Sequence, residues 1–79
     1  MKKLLLIGKM NDLMKDLNEF LQRFFRVQLC ADNTANAMGM IKVISPDLVL
    51  INLVGIFDLD TTIFERIQKD YQMVVLVNL

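Results

Sequence analysis

The chain has 79 residues, 54% of them hydrophobic, and nine basic side chains balance nine acidic ones to a formal net charge of zero. One small domain is the most this length allows, and it buries only roughly 60–65% of its unfolded surface, so a supplement such as a disulfide, a metal or an oligomer is expected. The single Cys30 and the absence of histidine exclude an internal disulfide and a zinc site with ordinary ligands, the apolar content excludes disorder, and the balanced charge leaves no footprint for nucleic acid or an anionic membrane.

Residues 3–7 form a short continuous apolar run, the pattern of a strand buried on both faces. With Met1, Lys2 and Lys3 ahead of it, this run imitates a secretory signal. Gly8 and Lys9 end it after residues 4–7, far short of the ~7–15 apolar residues such a signal needs. The longest apolar runs are 4–7, 48–51 and 73–77, so no segment approaches the roughly 20 residues of a membrane span. A cytoplasmic location is expected, and one unpaired thiol suits a reducing compartment.

Asn11 or Asp12 offers a side-chain oxygen to cap a first helix. Leu13, Leu17, Phe20, Leu21, Phe24 and Phe25 follow at helical spacing, which predicts a helix over 13–25 with its phenylalanines in the core rather than displayed as a base-stacking platform. Asp12, Asp16 and Glu19 near its start and Arg23 and Arg26 at its end both suit the helix dipole.

Residues 26–31 read as an edge strand, with Val27 and Leu29 alternating against Arg26 and Gln28. Cys30 at its end is expected to be a small buried hydrophobe rather than a redox sensor. Asp32, Asn33 and Thr34 make a turn and cap before a second helix over 35–44. Ala37, Met38, Ile41 and Ile44 share one face, Gly39 weakens the helix by roughly 1 kcal/mol, and Ser45-Pro46 stops it.

Residues 47–53 give the clearest strand, because Leu48, Val49, Leu50 and Ile51 run unbroken, as in the centre of a parallel sheet. A loop over 54–59 and Asp60 as N-cap lead to a third helix over 61–71, with Ile63, Phe64 and Ile67 inward. A fourth strand follows over 73–77. The expected fold is α/β: a β-α-β-α-β-α-β chain with short connections, hence parallel strands joined by right-handed crossovers.

The string Pro46-Asp47-Leu48-Val49-Leu50-Ile51-Asn52-Leu53 resembles the third strand of bacterial response-regulator receiver domains. The likeness continues through the first strand (2–7), the second helix from Asn36-Ala37-Met38, the third helix (61–67) and the fourth strand (73–79), so it spans the whole chain. It implies a partial flavodoxin-like sheet in strand order 2-1-3-4, truncated after the fourth strand.

Receiver domains phosphorylate an aspartate at the end of the third strand, and the matching residue here is Asn52. An amide is a poor nucleophile and cannot form the acyl phosphate. The acidic pair that holds Mg²⁺ after the first strand is matched by Gly8 and Lys9, neither of which supplies the carboxylate oxygen a hard dication prefers. The switch hydroxyl is matched by Asn78. Two readings of Asn52 stay open: a strand-end amide bonded to nearby backbone, or a partner of Lys9 across the vestigial pocket. Asp12 and Asp58, the nearby carboxylates, read as a helix cap and a loop charge rather than metal ligands.

Without histidine there is no imidazole base, and Ser45, the only serine, lies in a turn, so no enzymatic activity is expected. Gly8-Lys9 lacks the glycines and hydroxyls of a phosphate loop, and the scattered methionines do not form a metal cluster, so no cofactor or metal is implied. The resemblance therefore implies a phosphorylation-incompetent pseudo-receiver domain of a two-component-type signalling or transcription regulator. Its partners would be a second copy of itself, through an uncovered sheet face or edge strand, or an effector domain or signalling protein. A small ligand- or nucleotide-binding module, using the C-terminal ends of the strands, is the competing expectation.

Overall fold

The computed structural model describes residues 1–31, 37–53 and 61–76, without the side chains of 31, 61–64 and 75–76. Among the described residues seven elements follow one another: β1 (Lys3–Gly8), α1 (Asp12–Leu21), β2 (Arg26–Ala31), α2 (Ala37–Ile44), β3 (Leu48–Asn52), α3 (Thr61–Asp70) and β4 (Gln72–Leu76). The strands form one parallel sheet, as the alternating pattern requires, in the order β2-β1-β3-β4 that the resemblance implies. Asp32, Asn33, Thr34, Asp58, Asp60, Val77 and Asn78 lie outside the described residues, as does the expected 54–59 loop.

The pleat divides the apolar strand residues between two layers. Leu5, Ile7, Val49 and Ile51 join Cys30, Ala37, Ile41 and Ile67 in a core under α2 and α3. Leu4, Leu6 and Leu50 join Met14 on the opposite face under α1, flanked by Leu17, Leu21, Phe25, Val27, Leu29 and Leu48. This explains the unbroken apolar runs Leu4–Ile7 in β1 and Leu48–Ile51 in β3: each strand serves both layers. Among the described residues no helix is long and apolar enough to cross a membrane.

The first helix is shorter than its apolar spacing predicts. Asn11 is its N-cap, with Oδ1 accepting the Met14 backbone N–H at 2.8 Å. It ends at Leu21, and residues 22–24 turn on hydrogen bonds from Arg23 N–H to the Phe20 carbonyl and from Phe24 N–H to the Leu21 carbonyl. Only Met14, Leu17, Asn18 and Leu21 fall within the buried stripe. Phe20 and Phe24 are therefore not core residues: they are 55% and 59% exposed, and pack on each other with ring centroids 5.4 Å apart. Phe25 alone of the three reaches the α1 layer. The apolar positions span a wider arc than one stripe on the sheet can bury.

Ser45 stops α2 in the left-handed region, with φ 48°, and its N–H donates to the Ile41 carbonyl at 2.8 Å. The chain then enters β3 through a reciprocal link. The Lys3 N–H donates to Asp47 Oδ2 at 2.8 Å, and the Asp47 N–H returns a bond to the Lys3 carbonyl at 2.9 Å. Lys3 Nζ also reaches the Ile44 carbonyl at 3.3 Å, a cation at a helix C-terminus, where the dipole favours it.

Candidate functional site

The strand ends that the resemblance marks as the phosphorylation site meet at one point. Register places Gly8 of β1 opposite Asn52 of β3. Both are buried, and Asn52 has no exposed surface. Lys9, the next residue, is exposed. Asn78, the expected counterpart of the switch hydroxyl, lies outside the described residues.

Gly8 is held by a close approach. A Cβ built there would stand 2.9 Å from the Asn52 carbonyl oxygen, 3.2 Å from Asn52 Cβ and 3.2 Å from Met14 Cε. The first of these contacts is with backbone, which cannot swing aside. A side chain of any kind, and a carboxylate above all, has no room at this position in the present packing.

Met14 closes the other side. It is the first buried residue of α1, and it is placed there by the Asn11 cap, which holds its own N–H. The Asn52 amide Nδ2 donates to Met14 Sδ at 3.8 Å, a sulfur-acceptor bond inside the core. Thus the buried amide turns towards the thioether of α1, whereas Lys9 is exposed. Of the two readings of Asn52 that the sequence leaves open, neither names this acceptor: the sulfur lies within the same buried layer, and the Lys9 side chain is exposed. No buried side-chain nitrogen or oxygen among the described residues is left without a hydrogen bond.

The arrangement carries little chemistry. Asn52 is neutral, Gly8 has no side chain, and Met14 is a weak acceptor. Asp12 is exposed at the start of α1 rather than directed to Asn52, and the capping role belongs to Asn11. Among the described residues no three His, Cys, Asp or Glu side chains converge as metal ligands would. Cys30 is buried in the α2 and α3 layer, where burial pushes its thiol above the ordinary value and keeps it protonated.

A shallow apolar depression lies between α2 and the edge strand β2, lined by Gln28, Gly39, Met40, Val43 and Ile44. Among the described residues its lining includes no titratable side chain, and these residues offer neither acid, base nor nucleophile.

The apolar spacing of the first helix does not single out Met14. Its signal was the i, i+3, i+7 relation to Leu17 and Leu21, which defines the buried stripe more narrowly than the full set of apolar residues.

The sequence matches no protein-family model, and comparisons with curated proteins and with solved structures return no match.

Proposed function

We propose that this chain is a phosphorylation-incompetent, receiver-like module that works by protein–protein contact in a bacterial signalling or transcription regulator, in the cytoplasm. The reading begins from the Pro46–Leu53 resemblance. The observation that carries it is the packing of Gly8, Asn52 and Met14 into one closed contact. In a working receiver this is where a dication and a phosphoryl group must fit. Here a buried thioether stands against Gly8 and Asn52, the acceptor position holds an amide, and the position of the first acidic ligand admits no Cβ.

A parallel sheet of this kind has its strand C-terminal ends free to bind a ligand, so competition from a nucleotide-binding reading is natural. The loop after β1 argues against it, because Lys9, Met10, Asn11 and Asp12 supply neither glycines nor hydroxyls to cradle phosphate.

The test is direct. The protein is incubated with Mg²⁺ and acetyl phosphate and examined by intact mass, and its amide spectrum is recorded with Mg²⁺ and beryllofluoride. The expected result is no phosphoryl adduct and no shifts around Asn52. An adduct on this chain, or saturable shifts at Gly8 and Asn52, would overturn the proposal.

A further inference from the structure

The two faces of the sheet are covered unequally. Residues of α2 and α3 share one layer, whereas the described helix on the other is α1 alone. A right-handed crossover from β1 to β2 seats α1 over that side of the sheet, leaving β4 two strands from β1 in the order β2-β1-β3-β4. Val74 of β4 is in register with Leu50, faces the α1 side, and is 44% exposed.

The flank of α1 that looks over this strand, which no described helix covers, is also apolar. Taking about 100° per residue, Leu13 and Phe20 lie roughly a quarter-turn from the line through Met14 and Leu21. Given the right-handed crossover, that quarter-turn is towards β3 and β4. The opposite flank carries Lys15 and Gln22. Phe24 packs against Phe20 with its ring tilted and extends the apolar ridge. Leu13, Phe20 and Phe24 are all exposed, and among the described residues they stand beside a step whose floor includes the exposed Val74.

We propose that a second copy of this chain fills the step. A two-fold axis running along the strands exchanges ridge and step, so that α1 of each copy lies over β4 of the other. Such a contact is isologous and closes at two subunits. Its two components are both apolar and lie side by side on each copy, so each satisfies the other's requirement. The exposed parts of Leu13, Phe20, Phe24 and Val74 amount to roughly 400 Å² per copy, taking ~150–250 Å² for a whole aromatic side chain. Two copies contribute about 800 Å², below the ~1,200 Å² at which standard-size interfaces begin, so the dimer is weak and reversible rather than obligate. This inference rests on the reading of the chain as an interaction module and names the surface and the partner.

Sedimentation velocity of the full chain, from micromolar to near-millimolar concentration, reads the outcome. The wild type shifts from monomer to dimer mass with rising concentration. Phe20→Asp and Phe24→Asp each weaken the dimer by about tenfold or more, and Val74→Lys does the same from the other side of the contact. Val43→Glu, at an 86% exposed position on α2, leaves it unchanged. Circular dichroism confirms that the variants fold. Should the phenylalanine variants unfold, Val74→Lys and a mixing experiment decide. A spin label at Glu19→Cys on one copy broadens the amides of 72–76 in an isotopically labelled partner. A monomer throughout the range overturns the proposal, as does a dimer that survives both Phe20→Asp and Val74→Lys. Neither result bears on the phosphodonor assay, so the two readings fail separately.

Discussion

Gly8 and Asn52 face each other across β1 and β3, and a Cβ at Gly8 would come within 2.9 Å of the Asn52 carbonyl oxygen. The strand pairing, the helix cap and the buried amide all converge on this contact. Gly8→Ala is expected to destabilise the fold by about 1–3 kcal/mol, the usual cost of overpacking, and Gly8→Asp by more, because it also buries a charge. Urea denaturation checks both. An alanine variant as stable as the wild type would mean that β1 and β3 separate more easily than the packing implies.

Asn52→Asp replaces a neutral amide with a carboxyl that has no exposed surface to ionise into. Desolvation raises the pKa of such an acid. The sign follows: with the folded pKa above the unfolded one, the variant keeps its stability at low pH and loses it as pH rises through the folded value. Relative to wild type, it is expected to be closer in stability at pH 4 than at pH 8. Parallel denaturation curves at the two pH values test this, and an equal deficit at both would show that the site accommodates a charge.

Asn11 holds the Met14 N–H and so fixes the first turn of α1. Asn11→Ala is expected to cost about 1 kcal/mol, whereas Asn11→Asp retains an acceptor and adds a favourable charge at the helix N-terminus. Thermal melts of the two variants should fall on opposite sides of a midpoint between wild type and alanine. A loss as large in the aspartate as in the alanine variant would argue against a capping role.

Ser45 carries a left-handed φ of 48° immediately before Pro46. Glycine adopts that conformation without the Cβ penalty, so Ser45→Gly is expected to stabilise by roughly 0.5–1 kcal/mol after its larger unfolded-state entropy is deducted. Ser45→Val should destabilise, being β-branched at positive φ. Chemical denaturation separates the pair by sign.

Cys30 is buried, and its thiol is raised above the ordinary value of 9.0 by desolvation. The folded state therefore favours the neutral thiol, and the stability this contributes is complete below the unfolded pKa and falls away as pH rises through the folded one. Labelling by a disulfide reagent at neutral pH is expected to be slow in the native protein and fast in urea. Native labelling as rapid as that of the unfolded chain would place Cys30 at the surface.

The sequence by itself determined the element order and the parallel sheet. The unbroken apolar runs at Leu4–Ile7 and Leu48–Ile51 have meaning only if both faces of β1 and β3 are covered, and the alternation of Val27 and Leu29 against Arg26 and Gln28 marks β2 as an edge. It also determined the chemistry that Asn52 and Gly8 lack, since side-chain identity fixes nucleophilicity and charge whatever the packing. Only the tertiary structure decided what occupies the space instead. Spacing alone gave Phe20 and Phe24 the same rank as Leu17 and Leu21, because a helical period says which residues share an arc and not how much of that arc the sheet can reach. Met14 became the closing residue through contacts made by β1, α1 and β3 together, from positions 8, 14 and 52. A meeting of residues so far apart in sequence depends on strand register and helix docking, and neither is written in any local pattern.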